Sequence, residues 1–212
     1  GNPRARINHE KATKMAQTYN AFTCSIIKNS TAWTLENGYR TIIATIGITL
    51  DGRMRNKVGD IAEERIKSII IEWLFENNLI VEPEFEEEDL TDTLPSEIFV
   101  QDEIKVVFGS EPDVAFYKED ELVAIIEIKG GIDPAGALER YGAAKKSFEH
   151  AISQSSRCKN IYLAAVFTPE LENRIKNDRL VEEYFDVIDI LDEPKVRDKF
   201  LRELFHYTLR IE

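Results

Sequence analysis

Ser110-Glu111-Pro112-Asp113-Val114-Ala115-Phe116-Tyr117, the turn Lys118-Glu119-Asp120-Glu121, and then Leu122-Val123-Ala124-Ile125-Ile126-Glu127-Ile128-Lys129 form the stretch on which the fold turns. Leu122-Val123-Ala124-Ile125-Ile126 is apolar at every position, the pattern of a central strand covered on both faces. Alternation puts Glu127 and Lys129 on one face of that strand and Ile128 on the other. The turn is short enough for a hairpin. If Lys118 pairs with Leu122 across a three-residue loop, the same register sets Asp113 opposite Glu127, with Cβ atoms about 4.5–5.5 Å apart. A two-residue loop would shift the pairing by one position. The stretch therefore predicts two carboxylates and one ammonium converging at the end of a buried hairpin.

Such a cluster is expensive unless its charges are paired or hold a cation. Carboxylate oxygens alone, with room for water and phosphate, suit Mg²⁺. A metal there would polarise a scissile phosphate and stabilise the charge of a pentacovalent transition state. Lys129 would orient or help deprotonate the attacking water, or neutralise developing charge; the sequence leaves these open. The blander reading is an edge salt bridge between Glu127 and Lys129. Against it stand the consecutive strands, the apolar run that the motif ends, and the helices on either side.

Upstream, residues 59–77 carry a helical stripe of Ile61, Ala62, Arg65, Ile66, Ile69, Ile70, Trp73 and Leu74. At 100° per residue Glu64 points away from the stripe. Glu63 falls at its margin, where a carboxylate can lean over the edge of whatever the helix packs on. Strands are expected at 104–108, 113–117, 122–129, 161–167 and 185–191. Helices are expected at 134–153, from Pro169 and from Pro194, both prolines standing at favoured first positions. This order predicts an α/β fold with helices around a mixed sheet. Residues 1–30 read as a mildly amphipathic helix through Met15, Tyr19, Phe22, Ile26 and Ile27. The run Thr41-Ile42-Ile43-Ala44-Thr45-Ile46 is rich in strand formers, without a definite geometry.

Pro112-Asp113 followed by Glu127-Ile128-Lys129, in this order of helices and strands, resembles the PD-(D/E)xK nuclease superfamily, and within it the type II restriction endonucleases. The resemblance covers residues 57–167 well. It implies a restriction-endonuclease-like core, with Asp113 and Glu127 as Mg²⁺ ligands, Ile128 contributing its backbone carbonyl, and Lys129 as the catalytic lysine. Glu63, in Gly59-Asp60-Ile61-Ala62-Glu63, matches the helical glutamate with which many members complete the site; Glu64 and Glu111 are rivals for that role. Gly130-Gly131-Ile132-Asp133-Pro134-Ala135-Gly136 is similar to stretches in some restriction enzymes. Its glycines would let a DNA backbone approach, with Arg140, Lys145 and Lys146 on phosphates. The alternative is a well-made strand-to-helix connection with Asp133 as its cap.

The 212 residues, 43% hydrophobic and 31% charged, suit one large domain with a modest extension. The expected division is 1–56, a helical and β extension serving DNA recognition or dimerisation, and 57–212, the nuclease core. The net charge of −12 counts against a polyanionic partner. Seven of the acids lie between Glu82 and Asp92, though, whereas Arg140, Lys145, Lys146, Arg157 and Lys159 face only Glu149 between positions 140 and 159. No apolar run reaches the roughly 18 residues of a membrane span, and no signal peptide is visible. Cys24 and Cys158 read as reduced thiols, so a cytoplasmic protein is expected. Opening on Gly1 rather than Met is expected of a processed chain or a fragment of a longer one. His9, His150 and His206 are isolated, which excludes a His-based triad. Phosphate-binding glycine loops are absent. Trp33 and Trp73 are expected in the core.

The expectation is thus a Mg²⁺-dependent type II restriction endonuclease cutting duplex DNA, acting as a homodimer because a symmetric site has two strands to cut. The alternatives are a repair or structure-specific nuclease on the same core, and a non-catalytic DNA-binding subunit.

Overall fold

Among the described residues, seven strands form a single sheet whose spatial order is their order in the chain. The computed structural model describes residues 9–29, 34–83 and 94–211. They divide into two units, Gly1–Gly52 and Arg53–Glu212. Trp33 and all of the acidic run except Glu82 lie outside the described residues.

The described part of the first unit is helical: α1 (His9–Asn29) and the opening of α2 (Leu35–Glu76). The Thr41-to-Ile46 run, which its composition makes a strand former, is helix instead. Its threonines are satisfied locally, because the hydroxyls of Thr41, Thr45 and Thr49 donate to the carbonyls of Asn37, Thr41 and Thr45 at 2.9, 2.8 and 2.8 Å. The intrinsic penalty for β-branched residues in a helix is only some tenths of a kcal/mol each, roughly, so context overrides it.

In the second unit the end of α2 buries Ala62, Ile66, Ile69, Ile70, Ile71 and Leu74. Ile61 and Arg65, expected on that stripe, are exposed, and Lys67 is drawn in with the apolar residues. The helix stops at Asn78, whose left-handed φ of 55° turns the chain into the sheet. Strands β1 (Ile80–Glu82), β2 (Glu97–Val100), β3 (Ile104–Phe108), β4 (Val114–Lys118) and β5 (Glu121–Lys129) make an antiparallel meander. A 3₁₀ turn (Pro134–Gly136) and α3 (Ala137–Gln154) then cross to β6 (Lys159–Ala164), parallel to β5. Helix α4 (Pro169–Asp178) crosses to β7 (Glu183–Asp186), parallel to β6. Helices α5 (Val187–Asp192) and α6 (Pro194–Arg202) follow, then a wide helical turn (Glu203–Thr208).

The expected mixed sheet with flanking helices is what the chain forms, with two differences. Strands β1 and β2 are additional; at three and four residues they are too short to show a pattern. The expected strand at 185–191 is divided, because the Asp186 carboxylate accepts hydrogen bonds from Ile188 N at 2.7 Å and Asp189 N at 3.4 Å and starts α5 there.

Alternation sorts the sheet's side chains into two cores. Val114, Phe116, Ala124, Ile126, Ile128, Ile161 and Leu163 join α2, α6 and the closing turn. Ala115, Leu122, Ile125, Tyr162 and Ala164 join α3 and α4. Trp73 packs on the first core, stacked on Phe205 with ring centroids 3.9 Å apart.

Candidate active site

The β4–β5 hairpin has a two-residue tip. Lys118 pairs with Glu121 and Tyr117 with Leu122, while Glu119 and Asp120 take left-handed φ values of 50° and 64°. That is the loop expected to slip the register. A bulge between Tyr117 and Phe116 restores it, so Phe116 pairs with Ala124, Ala115 with Ile125 and Val114 with Ile126. One step further along this ladder, Asp113 comes opposite Glu127. The sequence reading reached this alignment through a three-residue loop; the chain reaches it through a shorter loop and a bulge.

Asp113 and Glu127 are 3% and 2% exposed, in a core that otherwise admits few charges. Asp113 Oδ2 accepts the Ile128 backbone N–H at 2.6 Å, locking the end of one strand to the next. Lys129 Nζ lies 3.1 Å from the same oxygen and 2.5 Å from Glu127 Oε2. Glu127 Oε1 is buried with no hydrogen-bond partner. Burial pushes the Glu127 carboxyl above its ordinary pKa, and the Asp113 charge adds to this against the Lys129 ammonium and the nearby Ser147 hydroxyl. For Lys129, burial pulls the pKa down. The two carboxylates outweigh it and hold the ammonium above its usual value, so Lys129 keeps its proton.

Asp113, Ile128 and Lys129 face an open cleft of about 610 Å³ lined also by Gly59, Asp60, Glu63, Ser110, Asp133 and Arg140. Glu63 reaches it from α2, whereas Glu64 is exposed and Glu111 lines a different hollow. Glu63 Oε1 is held 2.5 Å from the ammonium of Lys67, which also donates to the Gly109 carbonyl at 3.0 Å. Gly109 N–H in turn donates to the Asp113 carbonyl at 3.1 Å. Lys67 thus ties α2 to the loop that delivers Asp113. The sequence reading passed it over, although Glu63 and Lys67 stand four residues apart at salt-bridge spacing.

The glycine corner serves the protein itself. A Cβ on Gly130 would come within 2.6 Å of Ala62 Cβ and 2.9 Å of the Gly59 carbonyl, so this glycine lets β5 end against α2. Arg140 lies over Gly131 and Gly136 and donates to the Asp133 carbonyl at 2.6 Å. Asp133 caps the 3₁₀ turn through Ala135 N. Lys145 bonds Asp178 at 2.7 Å, clamping α3 to α4, and the Tyr141 hydroxyl donates to the same carboxylate at 3.2 Å. Lys146 is exposed at the rim of the hollow beside Glu111. Of the expected cationic contacts, Arg140 alone lines the main cleft, together with Lys129.

A family model of the XcyI restriction endonuclease matches residues 25–203. The chain belongs to that family. None of the curated proteins compared with it matches. Membership in the XcyI family places the chain among restriction endonucleases, which are nucleases acting on DNA, and agrees with a PD-(D/E)xK hairpin in the middle of the matched region. Among the described residues, no three His, Cys, Asp or Glu side chains are already gathered as a metal cage. Lys129 sits between two of the acids, and Lys67 holds the third. The donors nonetheless fit a hard divalent cation: they are oxygens, carry a net negative charge around Lys129, and include the buried unpartnered Oε1 of Glu127. No helix among the described residues is long and apolar enough to cross a membrane.

Proposed function

We propose that the chain is a Mg²⁺-dependent type II endonuclease that hydrolyses phosphodiesters of duplex DNA at a specific site through Asp113, Glu127 and Lys129. The observation that carries this is the buried pair of carboxylates sharing one ammonium, behind an open cleft that Asp113 and Lys129 line, with a buried oxygen of Glu127 left without a hydrogen-bond partner. Asp113, Glu127, the Ile128 carbonyl and Glu63 would hold the cation, which when bound supplies Lewis acidity toward the scissile phosphate. Fixed by two carboxylates, the Lys129 ammonium offers a positive charge where negative charge develops on the phosphoryl group, and it orients water rather than taking its proton. Arg140 would add a second positive charge from the α3 side of the cleft. Phosphate contacts by Lys145 would require it to leave Asp178, whereas Lys146 stands exposed for one.

Long duplex DNA incubated with the protein and Mg²⁺ should give discrete bands, and none with chelator. Asp113→Ala and Lys129→Ala should each lose at least about a hundredfold in rate while the fold persists. Glu63→Ala should raise the Mg²⁺ concentration needed, and Glu64→Ala should do little. Wild-type activity in the Asp113 or Lys129 variant would refute the assignment. Cleavage confined to junctions or flaps would favour a structure-specific nuclease.

A further inference from the structure

Lys67 is only 8% exposed, a position that an ammonium takes only when it is paired. Its hydrogens find partners on two different elements. Glu63 Oε1 stands one helical turn back at 2.5 Å, and the Gly109 carbonyl, 42 residues on, accepts at 3.0 Å. Gly109 opens the loop between β3 and β4, and its own N–H donates to the Asp113 carbonyl at 3.1 Å. That loop has little slack, since a Cβ on Gly109 would come 3.1 Å from the Pro112 carbonyl oxygen. Among the described residues, no other hydrogen bond joins α2 to this loop. Both ends of the bridge, Glu63 and Asp113, line the open cleft, and no hydrogen bond occupies the second oxygen of Glu63. An ordinary helix pair four residues apart lies in solvent, as Arg40 and Glu36 do at 75% and 73% exposure, and is worth little. The Lys67 side chain is 11% exposed and reaches a second element.

We propose that Lys67 is a positioning residue for the cation site. It holds Glu63 by one oxygen so that the other serves the cleft, and through Gly109 it fixes the loop that carries Asp113. The inference rests on the reading of Glu63 and Asp113 as Mg²⁺ ligands, and adds the residue that sets their spacing. Asp113 and Glu127 stand on paired strands, so the ladder keeps them together. Glu63 comes from a helix, and its side chain has rotamer freedom that only an outside tie removes. A carboxylate already fixed by a hydrogen bond has lost that freedom on folding, whereas a loose one loses it on ligation. Groups that orient a ligand without touching the metal are commonly worth roughly 10–100-fold in affinity. The opposing effect is Coulombic, because removing a positive charge near a cation site favours the cation. The two effects differ in sign, so the direction of the change separates positioning from simple repulsion.

Melting of the full chain against Mg²⁺, without DNA and at constant ionic strength, reads affinity from stabilisation rather than from cleavage. Lys67→Met should need roughly 10–100 times the wild-type Mg²⁺ concentration for the same rise in melting temperature. Lys67→Arg, whose fork can serve a carboxylate and a carbonyl together, should recover most of that loss. A Lys67→Met chain that melts lower without metal but keeps the wild-type Mg²⁺ requirement would show a merely structural tie and overturn the proposal. A lowered requirement would overturn it too. Hydrogen exchange of the β4 and β5 amides without metal checks that the variant folds. Should Lys67→Met fail that check, Lys67→Gln, which keeps a donor without the charge, is read in its place against the same expectation. If Mg²⁺ leaves wild-type melting unchanged, the metal reading of the site fails and this inference falls with it. If the wild type responds and the variant responds equally, the inference fails alone.

Discussion

Glu127 carries two charges' worth of trouble in one side chain. It is 2% exposed, and one of its oxygens meets Lys129 while the other has no hydrogen-bond partner. Burial holds its folded pKa above the ordinary carboxylate value. A raised carboxyl pKa contributes stability that is fully present below the unfolded pKa and is lost as pH rises through the folded pKa, so ionising this group in the folded state costs stability. Glu127→Gln keeps an acceptor for Lys129 and removes that charge. With chelator at pH 7 the variant should melt higher than the wild type, and the gain should shrink as the pH falls through the folded Glu127 pKa and vanish below the unfolded one. Mg²⁺ should raise the melting point of the wild type only. A variant less stable than the wild type at every pH would show that Glu127 is held by its ion pair rather than poised for a cation.

Between elements, the site depends on how closely strand β5 meets helix α2. Gly130 permits this, and Ala in its place would press on Ala62 and on the Gly59 carbonyl. Gly130→Ala should cost about 1–3 kcal/mol, read as a lowered denaturation midpoint, and should weaken cleavage further by shifting Lys129. An unchanged midpoint would mean that the contact is loose. What the sequence disclosed at this scale followed signal strength. The apolar run through Ile126 and the alternation of Glu127 with Lys129 exposed the central hairpin, and Pro169 and Pro194 marked their helices. Glu63 was distinguished from Glu64 by phase alone, although the buried face lies some way around the helix from the expected stripe. Less was visible where a feature depends on partners far along the chain. Strands β1 and β2 are held by register rather than composition, the bulge at the hairpin tip leaves no compositional trace, and Lys67 reads as a surface lysine until the Gly109 carbonyl arrives beside it.

At the scale of the molecule, one chain carries one Asp113–Glu127–Lys129 cluster, and a duplex has two strands. The acidity of the chain bears on the same scale: with a net charge of −12, DNA must be held locally, and binding should fall steeply with salt. The sheet holds one more consequence. Because its seven strands lie side by side in the order of synthesis, none has to be inserted between two that have already paired. The edge left open by each strand is the one the next strand takes, which keeps loop-closure costs small at every addition. A growing chain could therefore lay this sheet down from one edge to the other, with the catalytic hairpin in place before the parallel half emerges from the ribosome.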